Sequence, residues 1–326
     1  MRRIRRLPVP LLISLLVVEA FAPLPARASQ RDRGKEFPIP TAHCFPLGIT
    51  AGPDGNVWFT EFDANTIGRI TPTGAITEFV LPTRSSPDGI AAGPDGNVWF
   101  TEYAGHKIGR ITPTEDITEF PLPTEGVSPE GITQGPDGNL WFTETSFGTN
   151  QIGRITTAGV ITEFPLPRTD SIPTSITSGP DGNLWFTEEI ANKIGRITPA
   201  GAITEFGLPM RNSYPGSIAA GSDGNLWFTQ NFAKRIGRMT TSGVVTEFRI
   251  PTSFDHPYGI AAGPDGNLWF TEEGRVDKIA RITTEGSVTE FVMPTKQPGA
   301  NGIATGPDGA IWFTEDSDNN IGVLRP

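Results

Sequence analysis

Seven positions along this chain carry an acid or its amide at nearly equal intervals: Glu61, Glu102, Glu144, Glu188, Gln230, Glu272 and Glu315. Each closes a copy of Trp-Phe-Thr-Glu, or of Trp-Phe-Thr-Gln in one case. Six carboxylates drawn into a ring would suit a divalent cation or a cationic ligand. The first six positions, however, each have a companion arginine further on: Arg69, Arg110, Arg154, Arg196, Arg238 and Arg281. A recurrent Glu–Arg pair reads as scaffold rather than as a metal centre. Glu315 is the exception, because Val323 stands where its arginine would be.

Only three histidines are present, His43, His106 and His256. A solvated loop role is the ordinary expectation for each. His256 is the best placed, in Asp255-His256-Pro257-Tyr258. With Glu315, His256 and Tyr258 would supply a base, a hydroxyl donor and a metal ligand. No spacing in the chain matches a zinc site or a Ser–His–Asp arrangement.

The elements that would position these groups follow from the repeat. The seven tryptophans, Trp58, Trp99, Trp141, Trp185, Trp227, Trp269 and Trp312, are spaced by 41, 42, 44, 42, 42 and 43 residues. Such a period means one supersecondary unit copied around an axis. In the sixth copy, β-rich runs at 259–262, 267–272, 278–283 and 287–292 are separated by turns, one of them Pro264-Asp265-Gly266. Runs of this length and punctuation predict a four-stranded antiparallel meander. Leu268 and Phe270 alternate with Trp269 and Thr271, so both faces carry large groups, as in a sheet stacked between two neighbours. The fold class predicted is all-β, a seven-bladed β-propeller of four-stranded antiparallel blades.

Six copies of Thr-Glu-Phe mark the fourth strands, one fewer than the tryptophans, and the last repeat stops after its third strand. Lys35-Glu-Phe-Pro-Ile-Pro-Thr41 matches the missing strand, so residues 35–41 are expected to close the last blade. Within this plan, one residue just before each first strand differs in every copy: Leu47, Asp88, Glu130, Thr174, Gly216, Tyr258 and Asn301. Positions that vary on a repeated scaffold are free to serve one ligand, so this ring is the expected binding surface at the propeller mouth.

The chain opens with Met-Arg-Arg-Ile-Arg-Arg, a short apolar run from Leu11 to Val18, and Ala-Arg-Ala ending at Ala28. That pattern is expected to be an export signal over 1–28, giving a secreted or periplasmic protein with a short segment at 29–34 and one propeller domain over 35–326. The apolar run is too short to span a bilayer. Residues 1–28 hold five arginines and one glutamate, so without them the net charge moves from −10 to −14. So acidic a chain is not expected to bind nucleic acid or anionic lipid. Cys44 is the sole cysteine, which excludes an internal disulfide. A monomer binding a small molecule or peptide is the expected state.

The run Gly-Ile-Thr-x-Gly-Pro-Asp-Gly-Asn-Leu-Trp-Phe-Thr-Glu, then Lys-Ile-Gly-Arg-Ile-Thr, then Ile-Thr-Glu-Phe-Pro-Leu-Pro, resembles the virginiamycin B lyase (streptogramin lyase) family. The resemblance implies a seven-bladed propeller. Its antibiotic-degrading members open the ester of a cyclic depsipeptide by elimination, with magnesium and a histidine general base. It also implies histidines before the first strands of the last two blades, where this chain has Tyr258 and Asn301. A tyrosine is implied where Leu47 stands, and a glutamate where Gly299 stands. The implied metal-binding glutamate corresponds to Glu315, so magnesium is a cofactor by resemblance only. Three functions follow as expectations. The first is a ligand-binding propeller without the elimination chemistry. The second is a metal-assisted lyase with a rearranged site using His256 or Tyr258 and a cation at Glu315. The third is a metal-dependent lactonase using Asp88 and Glu130.

Overall fold

The computed structural model describes residues 34–146, 148–252, 256–293 and 299–326. The expected export signal at 1–28, most of the segment at 29–34, and Asp255 lie outside the described residues. Seven four-stranded antiparallel sheets make up the molecule, and the described residues contain no helix. The sixth blade comprises His256–Ala262, Leu268–Glu273, Lys278–Ile282 and Val288–Val292. The last blade is Ala300–Thr305, Ile311–Glu315 and Asn320–Leu324, completed by Gly34–Pro38 from the other end of the chain. Phe37 lies 5.9 Å from Trp312 in a stacked pair, the place that Phe79 takes against Trp58 in the first blade. Closing the circle in this way leaves no first or last blade with a bare face.

Each blade buries two different faces. Leu268 and Phe270 pack with Trp227 and Ile236 of the fifth blade, whereas Trp269 packs with Ile303, Ile311 and Phe313 of the seventh. Every Phe of the tetrapeptide lies over a small residue of the third strand; a Cβ on Gly68 would come within 2.1 Å of the Phe59 ring. The tryptophans satisfy their lone donor locally. Trp58 Nε1 donates to Asp54 Oδ1 at 3.0 Å, and the same bond recurs at every repeat. Asp54 also caps the turn by accepting from the backbone and side chain of Asn56, and these bonds hold its carboxyl below the usual range despite partial burial.

One expectation about the scaffold is corrected. The arginines do not pair with the second-strand glutamates. Register places Arg69 opposite Trp58, while Glu61 lies opposite Thr66. The guanidinium sits 5.3 Å from the Trp58 ring centre and 5.1 Å from that of Phe79, so it lids the aromatic pair. The same stacking is found for Arg110, Arg154, Arg196 and Arg238. A planar, weakly hydrated guanidinium suits an aromatic face, which explains why arginine rather than lysine recurs there.

Candidate functional site: the central mouth

Each first strand enters the ring through a break in its ladder. Register shifts between Pro46 and Ile49, and again between Pro87 and Ile90, Pro129 and Ile132, Pro173 and Ile176, Pro215 and Ile218, Pro257 and Ile260, and Ala300 and Ile303. The two residues inside each bulge are the variable mouth residue and the glycine or serine after it. A bulge breaks the strict alternation of strand side chains and re-aims one of them. Crowding at the axis sets the next residue. A Cβ on Gly48 would stand 2.4 Å from the Asp88 carbonyl oxygen, and one on Gly302 would stand 2.2 Å from that of Leu47.

The backbone of the mouth residue is held by the preceding blade. Thr60 Oγ1 donates to the Asp88 carbonyl at 2.7 Å and accepts from the Gly48 N–H at 2.9 Å. Thr101, Thr143, Thr187, Thr229, Thr271 and Thr314 make the same outward bond to Glu130, Thr174, Gly216, Tyr258, Asn301 and Leu47. These recurrent anchoring bonds fall on the main chain of the mouth residue, so its side chain can differ from blade to blade.

Leu47, Asp88, Glu130, Thr174, Gly216, Tyr258 and Asn301 all line one central cavity of about 590 Å³. Glu189, Asn231 and Phe232 line it too, and sequence reasoning missed them. They follow directly on the tetrapeptide in the fourth and fifth repeats, and the signal for them was the variability of the residues just after Trp-Phe-Thr-Glu. The cavity acids are hard to ionise. Asp88 is pushed up to about 6 by burial, although it keeps some exposure to the channel. Glu130 is pushed up to about 9 by burial, then by the charges of Asp88 and Glu189. Tyr258 is raised to about 12 by burial, then by the nearby charge of Glu273.

The other candidates do not join them. His256 does not line the cavity; its Nδ1 lies 3.0 Å from the Asn231 carbonyl, and its ring meets the edge of Phe232. His106 Nδ1 is likewise set against a backbone carbonyl, that of Val127 at 2.6 Å, and His43 is exposed. Glu315 is wholly buried and is not among the residues that line the cavity. Burial, with the nearby charge of Glu36, raises it to about 8. Glu61 and Glu144 are similarly raised to about 8, and Glu102 and Glu188 to about 7, burial leading in every case. Among the described residues, no three His, Cys, Asp or Glu side chains gather to hold a metal ion. A magnesium site of the kind the resemblance implies therefore does not fit the residues around Glu315. Asp88 and Glu130 share the cavity but are not part of such a cluster either. Gly299, where the resemblance implies a further glutamate, has φ 71°, and a Cβ there would stand 1.9 Å from Asp316 Oδ1.

The virginiamycin B lyase family model matches residues 25–169 and 145–326. The chain belongs to that family. Solved family structures superpose closely on this member. A streptogramin B lyase structure matches with 39% identity and a TM-score of 0.85, over 90% of this chain and 97% of that one. A virginiamycin B lyase from Staphylococcus aureus matches with 44% identity and a TM-score of 0.85, over 90% and 99%. The curated virginiamycin B lyase of Bordetella parapertussis is 43% identical over 47 residues, which span 14% of this chain and 16% of that protein.

Proposed function

We propose that this family member is an exported propeller that binds a small molecule or peptide at its central mouth and does not perform the family's elimination. One observation carries the reading. Tyr258 and Asn301 stand in the cavity where the resemblance implies the two histidines. A general base must come within hydrogen-bond reach of the proton it removes. Neither a phenol raised to about 12 nor an amide can serve as that base near neutral pH. His256 lies nearest in sequence, but it is turned to a backbone carbonyl outside the cavity. Export rests on the pattern of residues 1–28.

A second reading is an enzyme acting on a cyclic ester or depsipeptide with a rearranged site. Asp88 favours it, because a carboxyl raised to about 6 in a cavity is suited to proton transfer near neutrality. Incubating the purified protein with a streptogramin B and magnesium, and following the depsipeptide by mass spectrometry, separates the two. Recovery of the intact ring supports binding alone. Linear product that disappears in Asp88→Asn supports the second reading.

A further inference from the structure

We infer that the mouth cavity takes an organic cation, an amine-bearing ligand with an aromatic or apolar body. The inference deepens the reading of the mouth as a ligand site and rests on it.

Charge is the first observation. Among the described residues, the charged side chains lining the cavity are Asp88, Glu130 and Glu189, with no lysine, arginine or histidine beside them. Such a cavity repels anions and concentrates cations. Hydrogen-bond supply is the second. Asn231 also lines this space, and its side-chain oxygen, packed beside Gly216, has no hydrogen-bond partner among the described residues. A buried acceptor left in that state costs free energy that a ligand N–H would recover.

The aromatic wall is the third observation, and it decides between an organic cation and a bare metal ion. Phe232 is 65% exposed and Tyr258 37% exposed, an unusual state for such large groups. Tyr214 packs against Phe232 with ring centres 4.4 Å apart, which holds that ring in place. A metal ion has no use for rings at the rim, and the cavity acids do not converge as metal ligands. An ammonium group on an aromatic or aliphatic body would use both halves: carboxylates for the charge, rings for the body and for cation–π contact.

Proton release should accompany binding. Burial, then the charges of Asp88 and Glu189, disfavours the ionisation of Glu130. A cation among the three acids offsets that repulsion, so Glu130 gives up its proton to solvent as the ligand enters.

The test uses three probes of matched size at pH 7.5: 2-phenylethylammonium, 2-phenylethanol and 3-phenylpropionate. Calorimetric titration in two buffers of different ionisation enthalpy gives affinity and proton release together. The ammonium should bind at least tenfold more tightly than the alcohol, with an apparent enthalpy that depends on the buffer. Glu130→Gln should remove the buffer dependence and weaken the ammonium about tenfold, leaving the alcohol within twofold. Phe232→Ala should weaken ammonium and alcohol alike, and Asp88→Asn serves if Glu130→Gln does not fold. Equal binding of the three probes, or preference for the propionate, would overturn the charge inference while leaving the mouth as a ligand site. Magnesium alone binding as tightly as the ammonium would overturn it in favour of a metal site. No binding by any probe would remove both the inference and the reading beneath it.

Discussion

Thr314 donates its hydroxyl to the carbonyl of Leu47 at 2.9 Å, across the seam where the seventh blade meets the first. The same hydroxyl accepts the N–H of Gly302 at 2.8 Å. One side chain thus fixes two bulged main-chain segments on adjacent blades, and the relation recurs around the ring. It separates holding the mouth from lining it.

Replacing Thr314 with valine keeps the shape and removes both bonds. The Leu47 carbonyl and the Gly302 N–H would lose their partner, so stability should fall by about 1–3 kcal/mol. Thr314→Ser should cost less than about 1 kcal/mol, because the hydroxyl remains. Denaturant titration of the two variants measures the difference.

Phe37 fills the outermost aromatic place of a blade whose other strands come from the far end of the chain. Phe37→Ala should destabilise by roughly 2–4 kcal/mol through the lost packing on Trp312. Proteolysis should then cut first near residues 34–38, since that strand is held at one edge only.

Stability should fall as pH rises from about 5 to about 8. Glu61, Glu144 and Glu315 are raised to about 8 in the folded chain, so the native state binds more protons than the unfolded one across that window. The turn aspartates act with the opposite sign and elsewhere. Asp54, Asp137 and Asp181 are lowered, so their contribution is present above about 4 and is lost in acid. Glu315→Gln should flatten the slope between pH 5 and 8 and stabilise the fold at pH 8 by roughly 1–3 kcal/mol. Thermal melts at a series of pH values test this.

Gly299→Glu would install the acid that the resemblance implies at a left-handed position, with its Cβ against Asp316. Strain at such a position costs about 1–3 kcal/mol. A lower melting temperature with no gain of streptogramin-opening activity is expected.

The sevenfold plan and the closing strand were legible because spacing alone carries them: Trp58 to Trp312 set the count, and the shortage of one Thr-Glu-Phe pointed to Lys35-Glu-Phe. The mouth ring was legible for a related reason, since variation against a repeated background marks positions released from scaffold duty. Partners across the sheet were not. Arg69 was assigned to Glu61, yet the hairpin register sets it against Trp58, and period-two alternation does not reveal which cross-strand residue a long side chain reaches. The bulges at Leu47-Gly48 and its equivalents were hidden as well, because they answer crowding at the axis between blades. Glu189, Asn231 and Phe232 were missed for another reason, since the variability after the tetrapeptide does not show which of those loop residues turn to the axis.

Carboxyl footprinting with a carbodiimide and an amine, read by peptide mass spectrometry, tests most directly whether the mouth acids open on the cavity and Glu315, the metal ligand that the resemblance implies, lies in the scaffold. Modification is expected at Asp88 and Glu130, which open on the cavity, and not at Glu315, which is wholly buried. Ready modification of Glu315 that magnesium suppresses, with Asp88 and Glu130 untouched, would contradict the account.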